Sequence, residues 1–255
     1  MEMNQSSAEL KRKARGDLQG HYGLPMGAMV IMGLITSVII MPFSIILNLS
    51  YSTHMLVIYE IAGIMISLLA TVLSAGLLRI HMGLARKETV VFSDLFYGFR
   101  NHPDRFLLCA LILAAISFGC VTPGTVCLFL APQELVPLFL CSICLILGGT
   151  LLAVLLSLQF ALALPLLVDH PSMGTLEAFR TSARLMQGQK GRLFYIQLSF
   201  LGWMILCMLS CYIGYLWIGP YMSQVTVTFY LDVTGEYKKQ NDGGFSRHIG
   251  DTGMA

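Results

Sequence analysis

Long apolar runs separated by short polar connectors set the pattern of this chain. A helix needs about 20 consecutive apolar residues to cross a bilayer. Runs that reach or approach this length lie at about 24–47, 56–78, 106–129, 137–168, 193–213 and 214–232. The sixth run is the weakest, because Pro220, Gln224 and several threonines interrupt it. The pattern predicts an all-α fold, a polytopic six-helix transmembrane bundle.

The composition indicates the same class of protein. Of the 255 residues, 56% are hydrophobic and only 12% are charged, whereas a soluble domain has about 25% charged residues. So few charges cannot cover a soluble core of this size, and lipid is therefore the expected solvent. The net charge of +2 and the lack of a basic cluster interleaved with aromatic residues exclude nucleic acid as an expected partner.

The distribution of lysine and arginine predicts how the chain crosses the bilayer. All 16 basic residues lie at 11–15, 79–105, 180–192 and 238–247, while the connectors at 48–55, 130–136 and about 213–219 contain none. Basic connectors stay on the cytoplasmic side, so this alternation requires an even number of spans. We expect a multi-pass plasma membrane protein with six spans and both termini in the cytoplasm.

Three polar segments have the pattern of interfacial amphipathic helices: 6–22, 92–102 and 174–188. In the last of them, a helical wheel separates an apolar face from a polar one. The apolar face carries Leu176, Phe179, Ala183 and Met186, and the polar face carries Glu177, Arg180, Thr181 and Arg184. Such a helix lies in the interface with its arginines near anionic headgroups. Anionic membrane lipids are therefore the expected partners, beside a possible membrane-protein partner or a second copy of the chain.

The other two segments are less regular. In the segment 92–102, Ser93 is the expected N-cap, and Leu95, Phe96 and Phe99 form the expected apolar stripe. The chain then divides into a basic N-terminal helix over 1–23, a membrane domain over 24–233 and a flexible cytoplasmic tail over 234–255.

An internal similarity suggests repeats. A shift of the N-terminal segment onto the segment that starts at Gly174 pairs identical residues: Glu9 with Glu177, Arg12 with Arg180, Gln19 with Gln187, Gly20 with Gly188 and Gly23 with Gly191. The hypothesis is three repeats of about 85 residues, each an interfacial helix followed by a transmembrane hairpin. The middle repeat matches poorly at the residue level.

Several stretches together resemble a widespread prokaryotic family of uncharacterised six-span membrane proteins, classed as a domain of unknown function. They are "GLARKETVVFSDLFYGFRN", "TPGT", "LPLLVDHPSMGTLEAFRTSARLMQGQKGRLFYIQLSFLGW" and "LWIGPYM". The resemblance runs from about Ser7 to Asp232 and implies the fold, but no activity and no catalytic residues. A fainter similarity reaches the membrane domain of some glycerophosphodiester phosphodiesterases. His170 and Gly174 depart from the usual asparagine and serine of the family.

Two features inside the predicted spans are candidates for ion or substrate contact. Glu60 lies about one turn inside the second span, and an ionisable group at membrane depth is a functional hypothesis, although it could reach the outer interface. Pro123 and Gly124, beside Thr122, are the best candidates for a broken helix of the kind that transporters use. A kink without a substrate is the alternative.

Asp169 and His170 directly follow the fourth span, close in sequence to Arg180 and Arg184. They could form an acid/base pair or hold a phosphate headgroup, or they could simply be the polar turn before a helix. No motif supplies further ligands for a metal or a hydrolytic site. We therefore expect no cofactor, no metal and no enzymatic activity.

Three functions remain to be weighed. The preferred one is a non-enzymatic membrane component that binds lipid or a membrane partner. The alternative is a small-molecule or ion transporter or channel that uses the proline-broken spans and Glu60. The third, an enzyme acting on lipid headgroups through Asp169 and His170, has the least support.

Overall fold

The computed structural model describes residues 5–49, 53–130, 136–210 and 212–237. These residues form helices and turns, and none of them belongs to a strand. The elements are α1 (Ser7–Leu18), α2 (Gly23–Leu49), α3 (Thr53–Arg86), a 3-10 helix (Phe92–Phe96), α4 (Tyr97–Arg100), α5 (Pro103–Leu130), α6 (Val136–Gln159), α7 (Ala163–Asp169), α8 (Thr175–Leu185), α9 (Lys190–Leu198), α10 (Leu201–Leu209) and α11 (Tyr215–Val233). The all-α prediction is confirmed for the described residues.

Five stretches are long and apolar enough to cross a membrane, and they indicate a membrane protein. They are Gly23–Asn48, Val57–Arg86, Pro103–Leu128, Val136–Asp169 and Lys190–Leu209, which match the first five apolar runs. α11 is not among them, because Pro220, Gln224 and its threonine and tyrosine residues lower its mean hydropathy. The sixth span stays a prediction.

Two of these stretches are interrupted where the sequence predicts continuous helices. The predicted span 137–168 is broken between α6 and α7, and the hydroxyl of Ser182 fills the break: it accepts from the backbone N–H of Leu162 (3.2 Å) and donates to the carbonyl oxygen of Gln159 (3.0 Å). The predicted span 193–213 is broken between α9 and α10. A backbone group that leaves the helical ladder needs such a partner.

No break occurs at Pro123 and Gly124, the best candidate position for one. α5 continues through both residues. The hydroxyl of Thr122 donates to the carbonyl oxygen of Phe118, and that of Thr125 donates to the carbonyl oxygen of Thr122 (2.9 Å). These are ordinary side-chain bonds to the carbonyl oxygen three or four residues back, which threonine makes within helices.

The N-terminal segment forms helix α1. Ser6 is its N-cap, and a reciprocal pair of hydrogen bonds joins Ser6 and Glu9 (2.9 and 3.2 Å), which is a capping box. Leu10, Ala14 and Leu18 are fully buried at a spacing of four residues. This apolar face packs on protein, since α1 contacts α11.

α8 buries two of the four residues on the predicted apolar face, Phe179 and Met186. Ala178, Phe179 and Ser182 are buried, whereas Leu176 is 63% exposed. The ring of Phe179 packs against that of Phe160 with the centroids 5.0 Å apart. Leu176 therefore lies off the buried face, which also includes Ser182, the residue that bonds across the break between α6 and α7.

The segment after α3 begins as a 3-10 helix and continues as a single turn of α-helix, α4. Ser93 is not its N-cap: the helix begins one residue earlier, and the Asp94 carboxylate accepts from the backbone N–H of Val91 (3.0 Å). Of the expected stripe, Leu95 is buried while Phe96 and Phe99 are exposed. The tighter winding of a 3-10 helix changes which side chains share a face.

The boundary of the predicted tail also needs correction. Glu236 contacts Arg86, and Tyr237 is buried, so residues 234–237 belong to the packed structure. The rest of the predicted tail, 238–255, lies outside the described residues.

The chain divides into two compact units. The first contains the described parts of Met1–Ser37, Gly76–Tyr97 and Gly191–Ala255, and the second contains Val38–Ala75 and the described parts of Gly98–Lys190. In the first unit, α1 and α10 contact α11. In the second, α5 contacts α6, α7 and α8. Within the first unit, the backbone of Leu95 lies so close to Gly76 that a Cβ there would overlap it.

Adjacent glycines in α6 supply a matched test of the packing between α5 and α6. A Cβ at Gly149 would overlap the carbonyl oxygen of Cys120, whereas a Cβ at Gly148 would meet nothing within 4 Å. We expect Gly149→Ala to cost about 1–3 kcal/mol of stability through overpacking. Gly148→Ala should be neutral or stabilising, since alanine favours a helix by about 1 kcal/mol over glycine. Thermal unfolding in detergent measures both. Equal effects of the two changes would contradict this close approach.

Candidate functional site

Charged side chains from separate parts of the chain meet at the end of α11, in the first unit. The guanidinium of Arg192, at the start of α9, lies 2.6 Å from the Asp232 carboxylate, and only 15% and 4% of these two side chains are exposed. Arg192 also donates to the carbonyl oxygen of Gln5, ahead of α1. One buried ion pair thus connects α1, α9 and α11.

A second ion pair joins the end of α3 to the turn after α11. Arg86 donates to both carboxylate oxygens of Glu236, from Nε at 2.8 Å and from Nη2 at 2.7 Å. This two-point geometry is the strong form of an arginine–carboxylate contact.

A cation–aromatic contact lies in the same region. The Lys13 ammonium lies 3.0 Å from the ring centroid of Tyr237. Burial raises the pKa of the Tyr237 hydroxyl, so the ring stays neutral and attracts the cation through its face. Burial also lowers the pKa of Lys13, and the charges of Asp17 and Asp232 oppose this effect. We call Lys13, Arg86, Arg192, Asp232, Glu236 and Tyr237 the charged cluster.

A buried polar pair in the same unit joins α3 to α11. Nδ1 of His81 lies 2.7 Å from Oε1 of Gln224, and Nε2 of Gln224 donates to the carbonyl oxygen of His81 (3.3 Å). Both residues are fully buried. Two hydrogen bonds in an apolar interior fix the register of the two helices.

The sequence-predicted candidates do not assemble into one site. Glu60 is exposed on α3. Gly124 is a packing position, since a Cβ there would lie 2.7 Å from Ile146, and Pro123 beside it is exposed.

Asp169 and His170 are neighbours but not a hydrogen-bonded pair. Nδ1 of His170 lies 3.9 Å from the Asp169 carboxylate, and 53% of the histidine side chain is exposed. Arg180 and Arg184 are exposed on α8. Together with Glu177 and Ala183 they border one surface pocket. Neither Asp169 nor His170 borders this pocket.

The turn that carries His170 is held by an arginine that sequence reasoning missed. The guanidinium of Arg105 donates to the carbonyl oxygens of Pro171 and Met173, the second at 3.1 Å. The Thr175 hydroxyl donates to the carbonyl oxygen of Arg105 (3.3 Å). These contacts make the turn a structural joint between α5 and α8. Across the described ranges, no group of three or more histidine, cysteine, aspartate or glutamate side chains could hold a metal ion.

Comparison with known proteins gives one match. A family model described as "Protein of unknown function (DUF975)" matches residues 1–237. The chain belongs to this family. No curated protein and no solved structure matches the chain, and the fainter similarity to glycerophosphodiester phosphodiesterase membrane domains is not among the matches. Membership confirms the resemblance stated from the sequence, and it supplies no activity.

None of the residues of the charged cluster was among the sequence-based site candidates for this family member. Gln224 was noted only as an interruption of the sixth apolar run, and Arg86 and Arg192 only as positive charges. The position of Asp232 at the end of an apolar run could have indicated the cluster, because a carboxylate placed there needs a partner.

The Arg192–Asp232 pair can be tested by removing one partner or both. Arg192→Met leaves a buried carboxylate without its cation and should cost about 3–5 kcal/mol of stability. The double variant Arg192→Met/Asp232→Leu should recover most of that loss, since two apolar side chains replace the pair. Thermal unfolding of the purified protein measures both variants. Arg180→Met, at an exposed position, is the control and should change stability by less than about 0.5 kcal/mol. A single variant as stable as the control would show that the pair is dispensable.

Proposed function

We propose that the protein is a six-span plasma membrane protein with both termini in the cytoplasm. In this proposal it has no enzymatic activity and binds anionic lipid headgroups through α8. The observation that carries the proposal is an exposed stripe on α8, formed by Leu176, Arg180 and Arg184 at a spacing of four residues.

The charged cluster supports an even number of spans. Gln5 and Lys13 precede the first apolar helix, while Asp232 and Tyr237 close α11, and these residues contact one another directly or through Arg192. The two ends therefore lie on the same side of any membrane that the chain crosses. Five crossings would place them on opposite sides, so α11 is the sixth span of the proposal. The excess of basic residues at these ends favours the cytoplasmic side.

α1 and α8 support the repeat hypothesis, because they are built alike. Their N-caps, Ser6 and Gly174, are at equivalent positions. The buried positions also correspond: Leu10 to Ala178, Ala14 to Ser182 and Leu18 to Met186. Each helix is followed by a glycine in the left-handed region, Gly20 at φ 84° and Gly188 at φ 77°.

The docking of the interfacial helices follows one rule, which also favours repeats. Each helix packs on the second member of an apolar hairpin: α1 on α11, α8 on α7, and α4 on α3, where the backbone of Val72 lies against Gly98. Three equivalent dockings are the arrangement that three repeats would produce.

The geometry of α8 supports lipid binding at its outer face. Phe179 and Ser182 hold the helix against the protein, so Arg180 and Arg184 point outward from a fixed backbone. Leu176 stands one turn before them and is exposed. A helix with an apolar side chain and two arginines on its free face is suited to the boundary between acyl chains and anionic headgroups.

The transport alternative has less support. Glu60 is exposed rather than enclosed, and α5 is unbroken at Pro123. The carbonyl oxygen of Gln159, at the break between α6 and α7, already accepts the Ser182 hydroxyl. A transporter needs such groups free to hold its substrate.

Fusions to reporters test the proposed topology. A phosphatase that is active only outside the cytoplasm should be active after Gly214, ahead of α11, and inactive after Tyr237. Green fluorescent protein, which fluoresces only inside, should give the opposite pattern. The expected change between the two positions follows from one crossing by α11. The same result at both positions would remove the sixth span.

Lipid titrations followed by native mass spectrometry test the α8 stripe. Each basic residue near an anionic surface contributes about 1 kcal/mol, so Arg180→Gln/Arg184→Gln should weaken binding of phosphatidylglycerol by about thirtyfold. Binding of phosphatidylcholine should not change. Glu177→Gln, on the same helix, removes a negative charge and should leave phosphatidylglycerol affinity equal or higher. Equal affinity of the wild type and the double arginine variant would exclude this stripe as the lipid site.

A further inference from the structure

A cleft in the first unit lies where the first two long apolar helices meet their polar flanks. Its volume is about 750 Å³, and it is bordered by the joint between α1 and α2 and by the end of α3 with the segment that follows. Its charged or titratable side chains are Asp17, His21, Lys87 and Glu88. Because it borders the start of α2 and the end of α3, it lies at the level of the headgroups in the proposed membrane placement.

Glycines keep the cleft open. A Cβ added at Gly16 or Gly23 would meet no protein atom within 4 Å. Larger side chains could therefore occupy this space without a clash.

Of the charged side chains that border the cleft, Glu88 has an ion-pair partner, and Asp17 and Lys87 have none among the described residues. The Glu88 carboxylate is paired with Arg79 at 3.0 Å. Oδ2 of Asp17 is buried and accepts no hydrogen bond from the described residues. Burial raises the pKa of Asp17, while the charges of Lys13 and Lys87 and the nearby Gln224 amide lower it. The cleft is thus bordered by one carboxylate and one ammonium group that have no ion-pair partner among the described residues.

Lys87 occupies a backbone position that normally takes glycine. Its φ is 58°, and the N–H groups of Lys87 and Glu88 donate to the carbonyl oxygens of Leu84 (3.1 Å) and Gly83 (2.8 Å). This is the Schellman ending of α3, with Lys87 at the left-handed position. A lysine there is strained where glycine is not, which points to a role for its side chain at the cleft.

We propose that the cleft binds a zwitterionic amino-phosphate, the headgroup of a phosphatidylethanolamine lipid. Lys87 pairs with the phosphate, His21 stands beside it as a further donor, and Asp17 accepts hydrogen bonds from the ammonium group. Opposite charges on the ligand match opposite charges in the cleft. The proposal rests on the membrane placement proposed above, but it uses none of the residues of the α8 stripe.

Two substitutions separate binding from folding. Lys87→Gly removes the cation and relieves the strained backbone, so the variant should unfold at a higher temperature than the wild type. Asp17→Asn removes a half-buried charge and is not expected to unfold the protein. Lys87→Arg keeps the cation and is the matched control for Lys87→Gly.

Lipid titrations in detergent, followed by native mass spectrometry, supply the test. Wild-type protein should bind phosphatidylethanolamine about tenfold more tightly than phosphatidylcholine, whose quaternary ammonium has no hydrogen to donate to Asp17. Asp17→Asn should abolish this preference, Lys87→Gly should weaken phosphatidylethanolamine binding about tenfold, and Lys87→Arg should bind as the wild type does. A lack of preference in the wild type, or unchanged binding by Lys87→Gly, would overturn the proposal.

Two further measurements show whether the ligand is a lipid or a free headgroup, and separate this proposal from the previous one. Soluble glycerophosphoethanolamine should bind far more weakly than the lipid; equal affinity would overturn the assignment to a lipid. Phosphatidylglycerol affinity should respond to Arg180→Gln/Arg184→Gln and not to Lys87→Gly. Either site can therefore fail while the other stands.

Discussion

The ion pair between Arg192 and Asp232 is the contact on which the first unit depends. Asp232 ends an apolar helix, and a carboxylate buried there is stable only beside a cation. Arg192 supplies that cation and reaches the backbone of Gln5 with the same guanidinium. Because both groups are nearly inaccessible to solvent, the start of α1, the start of α9 and the end of α11 must remain together. The Arg86–Glu236 pair adds the end of α3 to the same region.

Backbone hydrogen bonding determines where the apolar helices can break. At Pro123 the neighbouring threonine hydroxyls bond within the helix, and α5 stays continuous. Between α6 and α7 the ladder opens within the turn before Pro165, which has no N–H to donate, and Ser182, from a different helix, bonds to the N–H of Leu162 and the carbonyl oxygen of Gln159. An apolar surrounding provides no water for such groups, so a protein hydroxyl decides whether a break is stable.

Six of the basic residues show two different roles. Arg86, Arg105 and Arg192 bond to carboxylates or backbone carbonyls and hold elements together. Arg180, Arg184 and Lys87 are exposed and form no ion pair with the described residues. These exposed residues are the ones that can meet the headgroups of a membrane, and both proposed ligands are therefore lipids. Neither proposal gives these residues a catalytic role.

The sequence by itself determined the all-α class, the five long apolar stretches and the family. Apolar length and charge spacing are local properties, and local properties can be read along a chain. The correspondence between α1 and α8 was visible for the same reason. The tertiary structure alone decided the buried face of α8, the breaks after Gln159 and Leu198, the packed state of Tyr237 and the partner of Asp232. Each of these depends on which distant residue arrives to pack, pair or hydrogen-bond there, and 40 residues separate Arg192 from Asp232 in the chain.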